Sequence, residues 1–282
     1  MTEINLTEKI NSKTKIIGVV GNPIKHSKSP LIHNAALKEK KLNYQYLAFK
    51  VTDIKKAIDE MKELGIVGFS VTLPHKVLAI NFVDKVDELS RKIGAINTIY
   101  NDNGKLFGYN TDCMGAINAL KEKTQLSGKK VYVIGNGGAS RAIIAGLCNE
   151  KAKVSVFCRD INKAKEFKKL FGCEVINIKE IDKNCDILIN TTPVGMYPKI
   201  NEMPIKKEIL NKKMIVFDIV YNPIETLLIK ESKKIGCTVI YGTEMFLEQA
   251  YVQFKIFTGK NAPKKIMRKV LLNELKKEQN TN

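Results

Sequence analysis

Strand-like and helix-like apolar patterns alternate along almost the whole chain, and this alternation restricts its fold more than any other feature of the sequence. Ile16-Ile17-Gly18-Val19-Val20-Gly21 has the β-branched, uninterrupted character of a buried strand. Ser29-Pro30 then opens a helix over 29–39, with Ser29 as N-cap and Pro30 at the first helical position. A strand is expected over 44–51. Asp53 caps a helix that sets Ile54, Ala57, Ile58 and Met61 on one face, and 67–72 returns as a strand. This βαβαβ order predicts a parallel sheet. Asn103-Gly104 between 97–101 and 105–109 is a hairpin signal, so the first unit should end in an antiparallel pair.

A second series follows. Strand 131–134, a glycine turn, helix 140–148, strand 153–157 and helix 162–170 precede strands at 186–190, 215–219 and 238–241. Two helical patterns at 244–257 and 263–276 have no strand between them, and they are expected to pack back on the first domain beside an interdomain cleft. For 282 residues, a length of roughly two domains, the divisions fall at 1–112, 113–242 and 243–282. The class is α/β, with a doubly wound second domain.

The turn of that second domain is Gly135-Asn136-Gly137-Gly138-Ala139-Ser140, directly after a strand and directly before a helix. Glycines there allow a tight turn and close backbone approach, while the helix N-terminus presents N–H groups and positive dipole to a pyrophosphate. This is a Rossmann-like dinucleotide site, although Ser140 holds the place of the third glycine of G-x-G-x-x-G. Cys158-Arg159-Asp160 closes the next strand, where an acidic residue would accept from a ribose 2′-hydroxyl and an arginine would receive a 2′-phosphate. Both signs are present, so NADP and NAD both remain open.

Charge points to no polymer partner. The formal net charge is +18, from 47 Lys and Arg against 29 Asp and Glu. The excess runs through all three parts of the chain, only four of the basic residues are Arg, and there is no Trp. No basic stretch interleaves aromatics as a base-stacking surface does. The six cysteines are never closer than ten positions, without metal or redox spacing. His26, His33 and His75 could form a metal triad, but no Cys or carboxylate completes a ligand pattern, so no metal is expected. No run reaches the roughly 18 apolar residues of a membrane span, and the N-terminal stretch with Glu3 and Glu8 is too polar for a signal peptide. The expectation is a cytoplasmic protein with a small-molecule substrate, acting as monomer or homodimer without nucleic acid or membrane.

The first domain carries polar groups at its strand ends. His26-Ser27-Lys28-Ser29-Pro30 places two hydroxyls and a helix start after the first strand, a seat for a carboxylate. Thr72 and Lys76 bracket Leu73-Pro74-His75 after another strand, and Asp112 ends Gly108-Tyr109-Asn110-Thr111-Asp112. Each also has a plain structural explanation: Ser29 or Asp112 as helix N-cap, Lys76 as one surface lysine among many.

Taken together, these segments resemble the shikimate dehydrogenase family, the NADP-dependent shikimate/quinate dehydrogenases. The similarity is carried by Gly21 through Pro30, Val71-Thr72-Leu73-Pro74-His75-Lys76, Gly94-Ala95-Ile96-Asn97-Thr98, Gly108 through Asp112 and Gly135 through Ser140. It continues through Asn190-Thr191-Thr192-Pro193-Val194-Gly195-Met196, Asp218 through Pro223, and Gly242-Thr243-Glu244-Met245 leading to Gln249. The resemblance implies an N-terminal substrate domain, a Rossmann-like domain, and reversible NADPH-dependent reduction of 3-dehydroshikimate to shikimate in aromatic amino-acid biosynthesis. By matching position it implies that Ser27, Ser29 and Tyr221 hold the substrate carboxylate. Thr72, Lys76, Asn97, Asp112 and Gln249 would surround the ring hydroxyls, with Lys76 and Asp112 the catalytic pair. Gly135, Gly137, Gly138, Ala139, Arg159 and Gly242 would line the cofactor.

Three positions depart from the family pattern. Ser70 replaces a usual Asn, Asn136 a usual Ala, and Cys158-Arg159-Asp160 a usual Asn-Arg-Thr. The last bears on NADP against NAD. The alternatives are an NAD-dependent quinate/shikimate dehydrogenase and a non-catalytic nucleotide-sensing relative. Ser29 leans toward shikimate, because some quinate-preferring relatives have Thr there, and retention of Lys76 with Asp112 argues for turnover.

Overall fold

The computed structural model describes residues 10–281, so the stretch bearing Glu3 and Glu8 lies outside the described residues. The chain divides into two compact units. One holds residues up to Ser90, Gly94–Tyr109 and Tyr251–Asn273; the other holds Arg91–Ile93, Asn110–Ala250 and the residues from Glu274 on.

The first unit contains β1 (Lys15–Gly21), α1 (Ser29–Glu39), β2 (Tyr44–Lys50), α2 (Ile54–Glu63), β3 (Gly68–Val71), β4 (Lys85–Val86), the first half of α3 (Glu88–Ile93), β5 (Thr98–Asp102) and β6 (Lys105–Tyr109). Its sheet runs β2-β1-β3-β5-β6-β4. As the sequence pattern leads one to expect, β1 pairs in parallel with β2 and β3 and β5 pairs antiparallel with β6; β5 also pairs antiparallel with β3. Asn103 and Gly104 both have positive φ, 51° and 90°, the backbone that a two-residue I′ turn demands. Asp53 caps α2 by accepting from Lys56 N at 3.2 Å, and Ile54, Ile58 and Met61 are buried at helical spacing against Val20, Phe69, Val71 and Ile99. On the outer strand, Asn34 of α1 exchanges two 2.8 Å hydrogen bonds with the Tyr46 backbone, covering polar groups that an edge would expose.

The second unit contains α4 (Thr111–Lys121), β7 (Lys130–Ile134), α5 (Gly138–Asn149), β8 (Lys153–Cys158), α6 (Ile161–Phe171), β9 (Glu174–Asn177), β10 (Ile187–Asn190), β11 (Ile215–Asp218), α7 (Leu227–Ile235) and β12 (Thr238–Ile240). Its sheet is parallel throughout, in the order β12-β11-β10-β7-β8-β9. The order reverses at β7, the first strand of this sheet. In a doubly wound fold that reversal opens a crevice at the carboxyl ends of the strands, where the Gly135 turn lies. Two long helices close the chain. α8 (Gly242–Thr258) belongs to the second unit up to Ala250 and to the first from Tyr251, and α9 (Lys264–Thr281) changes unit after Asn273.

Several boundaries differ from the sequence expectations. The Lys28 backbone is already helical (φ −88°, ψ −2°), so Ser29 is inside the first turn of α1 and caps nothing; Ser27 Oγ instead accepts from Ser29 N at 3.3 Å. Asn110, not Asp112, caps α4, accepting from Cys113 N at 3.2 Å. α5 starts at Gly138 rather than 140 because the second half of the glycine turn is its first turn. The short strands β4 and β9 lack alternation long enough to read. Among the described residues, no helix is long and apolar enough to cross a membrane.

Candidate active site

In the first unit, the expected substrate residues cluster at strand ends. Ser27 is half-buried and Ser29 buried at the start of α1, after β1. Thr72 directly follows β3 and donates its N–H to Val20 O at 3.0 Å, which ties it to the end of β1. The turn continues with His75 N donating to Thr72 O and with Lys76 O accepting from Ile96 N at 2.9 Å, so the Lys76 backbone is fixed beside the segment that leads into β5. Asn97, on that segment, is buried; its backbone accepts from Val71 N at 2.7 Å and donates to Tyr109 O at 3.0 Å.

The histidines do not converge as ligands. His26 is exposed, and His75 Nε2 lies 2.8 Å from Val51 O. His33 is buried and stacked on Tyr46 at 4.4 Å between ring centroids; burial pushes its pKa down to about 3. Among the described residues, no group of three or more His, Cys, Asp or Glu could hold a metal ion.

In the second unit, Asp112 is buried in the first turn of α4. Gln249 is buried on α8, its Nε2 donating to Phe246 O at 2.8 Å and its Oε1 accepting from Thr111 Oγ1 at 3.4 Å. Tyr221 stacks on Phe246 at 4.7 Å, and burial, with the nearby Glu278 charge, raises the pKa of its phenol. The loop carrying Tyr221 leaves β11 at Asp218, whose buried carboxylate accepts from Thr226 Oγ1 (2.6 Å), Asn190 Nδ2 (2.9 Å) and Val220 N (3.1 Å). Asn190 Oδ1 in turn accepts from the Thr192 N–H and hydroxyl, so one polar cluster holds the loops after β10 and β11. Sequence reasoning assigned no role to Asn190 or Asp218. The available signal was a polar residue ending each of two otherwise apolar strands, Ile187-Leu188-Ile189-Asn190 and Ile215-Val216-Phe217-Asp218.

The dinucleotide turn fits its expected ligand. Gly135 has φ +110°, and a Cβ there would lie 2.7 Å from Thr191 Oγ1, so only glycine fits. A Cβ on Gly137 or Gly138 would meet nothing within 4 Å, which leaves open space over the N-terminus of α5 for a phosphate. Ser140 takes the third-glycine place productively: its Oγ accepts from Gly137 N at 3.2 Å and bonds Thr191 Oγ1, which donates to Ile134 O at 2.6 Å. Arg159 is exposed at the end of β8 and makes no ion pair among the described residues. Asp160 caps α6, accepting from Asn162 N (3.0 Å) and Lys163 N (3.3 Å) through Oδ1, with Oδ2 3.7 Å from Lys163 Nζ, so its carboxylate, although exposed, is engaged with the helix. Gly242 begins α8 where a Cβ would strike Val220 O at 2.4 Å, which gives it a steric role in seating the helix on the β11 loop.

Known proteins are similar to this chain in sequence and fold. The family model "Shikimate dehydrogenase substrate binding domain" matches residues 19–99, "Shikimate / quinate 5-dehydrogenase" matches 118–228, and "Shikimate 5'-dehydrogenase C-terminal domain" matches 242–272. A shikimate dehydrogenase (NADP(+)) of Methanocaldococcus jannaschii is 42% identical over 95% of this chain and 100% of its own length. A crystal structure of a shikimate dehydrogenase in complex with NADP+ superposes with a TM-score of 0.91 at 41% identity, covering 95% of this chain and 98% of that one. The Thermus thermophilus shikimate 5-dehydrogenase in complex with NADP(H) and shikimate gives 0.85 at 30% identity, covering 91% and 98%. With the matches running through both units and a turn suited to a dinucleotide, the chain belongs to the shikimate dehydrogenase family.

Proposed function

We propose that the protein catalyses the reversible NADPH-dependent reduction of 3-dehydroshikimate to shikimate, the oxidoreductase step that serves aromatic amino-acid biosynthesis. The observation that carries this is the 42% identity to an NADP-dependent shikimate dehydrogenase across 95% of the chain. The glycine turn supports it with its space for a phosphate. In this reading residues 1–112 form the substrate domain, 113–242 bind the dinucleotide, and the helices of 243–282 return to the substrate domain. The protein works in the cytoplasm, as a monomer or homodimer.

NADPH, when bound, supplies the hydride. Gly135, Gly137, Gly138 and Ala139 would hold its pyrophosphate, and Gly242 supports the site by seating α8 on the β11 loop. Because the Gly137 N–H is already given to Ser140, the amides of Gly138 and Ala139 at the start of α5 would be the donors to the phosphates. Arg159, which makes no ion pair among the described residues, would hold the 2′-phosphate through its guanidinium. The capping bonds of Asp160 direct its carboxylate toward α6, which favours NADP over the NAD-using alternative.

Ser27, Ser29 and Tyr221 hold the substrate carboxylate, while Thr72, Asn97 and Gln249 bond its ring hydroxyls. Lys76 delivers the proton to the oxygen that gains charge as the carbonyl is reduced, and Asp112 is its partner in proton transfer. The test is steady-state oxidation of shikimate or quinate with NADP+ or NAD+, followed at the reduced-nicotinamide absorbance. Shikimate with NADP+ should give the highest kcat/KM. A higher value for quinate with NAD+, or no turnover with any pair, would overturn the reading.

A further inference from the structure

We propose that Thr98 and Gln253 are positioning residues that fix which way the Asn97 side-chain amide faces, through a one-directional chain of hydrogen bonds running Tyr46, Ser70, Gln253, Thr98, Asn97. The inference rests on the reading of Asn97 as a substrate residue and adds how that residue is made a donor.

Geometry alone sets the direction. Gln253 lies 3.2 Å from the backbone carbonyl oxygen of Asn97, a group that can only accept, so the end of the Gln253 amide facing it must be Nε2. Oε1 then faces Ser70 at 2.9 Å and can only accept, which makes the Ser70 hydroxyl a donor. Its proton thus committed, Ser70 Oγ accepts from the Tyr46 hydroxyl at 2.7 Å. On the other side, Gln253 Nε2 donates to Thr98 Oγ1 at 3.0 Å, and the single Thr98 proton goes to Asn97 Oδ1 at 2.9 Å. Asn97 is therefore oriented with its oxygen toward Thr98 and its Nδ2 turned the other way, as a donor.

All five residues are 5% exposed or less, so water does not compete for these bonds, and a reversed amide would set two acceptors against each other in a dry interior. Burial, only partly offset by hydrogen bonds to Ser70 and Ser29, raises the pKa of the Tyr46 phenol and keeps its proton in place. A ring hydroxyl facing the Nδ2 end of Asn97 is accordingly bound through its lone pairs, leaving its own proton for a different acceptor.

The test compares Thr98→Val, which keeps shape and deletes the hydroxyl, with Thr98→Ser, which restores it. Thr98→Val should raise KM for shikimate about tenfold, the scale of one buried hydrogen bond with its partner left unsatisfied, with KM for NADP+ changed less than about twofold. Thr98→Ser should recover most of the loss. Adding Thr98→Val to Asn97→Ala should raise shikimate KM no further, because the relay acts only through Asn97. Equal rises for both substrates, or additive effects in the double variant, would overturn the relay and leave a packing role. If wild-type protein did not oxidise shikimate, the functional reading would fail separately. The relay is then read by NMR: the Asn97 side-chain amide resonances, identified by their loss in Asn97→Ala, should move in Thr98→Val and return in Thr98→Ser, and unmoved resonances would overturn it. Should Thr98→Val not fold, Ser70→Ala breaks the chain one link earlier and should move the same resonances and raise shikimate KM about threefold; no change in either would overturn the relay.

Discussion

Asp218 ends β11 as a fully buried carboxylate, and burial lifts its pKa to about 6 even though Thr226, Val220 and Asn190 donate to it and pull the other way. A carboxyl that holds its proton more tightly folded than unfolded contributes most to stability at acid pH, and that contribution is lost as the pH rises through its folded value. With an unfolded value of 3.8, the loss between about pH 5 and about pH 7.5 comes to about 1.4 kcal/mol. Asp218→Asn keeps the shape and removes the titration. Urea denaturation of wild type and variant at both pH values, followed by circular dichroism, gives the stability difference between the two proteins at each pH, in which other titrating groups cancel. That difference should shift in favour of the variant by about 1.4 kcal/mol on going to the higher pH. A difference that stays constant would refute the raised pKa. A shift of opposite sign would show that the three hydrogen bonds outweigh burial.

Lys76→Ala should lower kcat by on the order of 10²- to 10⁴-fold, the usual contribution of a positioned proton donor, with a smaller change in shikimate KM; a raised KM at near-normal kcat would make Lys76 a binding residue only. Ser29→Ala should weaken shikimate by roughly 0.5 to 3 kcal/mol in KM and leave NADP+ nearly unaffected, and equal weakening of both would mean a disturbed helix start rather than a lost carboxylate contact. Arg159→Ala should raise KM for NADP+ strongly and for NAD+ little, whereas Asp160→Thr, which retains an N-cap for α6, should sharpen the preference for NADP+; higher kcat/KM with NAD+ in the unmutated protein would reverse both expectations. Gly135→Ala forces a side chain into φ +110° against Thr191 and should cost on the order of 1–3 kcal/mol of stability together with most dinucleotide affinity; unchanged titration of NADP+ would separate the turn from the cofactor.

The architecture was legible because its signals are local. Asp53 beside an apolar face at helical spacing, Asn103-Gly104 between two short strands, and glycines following a β-branched run each translate into structure through nearest-neighbour sterics. Helix starts were less legible for the same reason inverted. Whether Ser29 or Asp112 caps a helix depends on which residue leaves the helical backbone region: Lys28 is already helical before Ser29, and Asn110, itself a favoured N-cap type, takes the position two residues before Asp112. Least legible was the support behind the site. Gln253 stands 183 positions from Ser70 in the chain, and nothing at either position announces the other. The one hint was a glutamine four residues after Gln249 on an otherwise apolar helix face, the spacing that returns a side chain to the same side.

Ser140, which departs from the general dinucleotide turn, and Ser70 and Asp160, which depart from the family pattern, are accommodated by polar partners rather than tolerated as defects. The third glycine of a dinucleotide turn ordinarily lets helix and strand pack closely, and a side chain there should push them apart. Ser140 avoids this because its hydroxyl is consumed: Gly137 N–H donates to it, it donates to Thr191, and Thr191 donates to the last carbonyl of β7. The short serine thus ties the turn to the strand end instead of crowding it. Ser70 works by the same principle, since one hydroxyl oxygen can accept from Tyr46 while donating to Gln253, whereas the two ends of an amide divide those capacities between separate atoms. Asp160 fits as well, because a carboxylate engaged by two backbone N–H groups of α6 presents less unbalanced charge to a neighbouring phosphate than one in open solvent. At each of the three positions the substituted residue is matched by a donor or acceptor within its own unit, and so a chain that departs there from the common pattern can keep the geometry of the site.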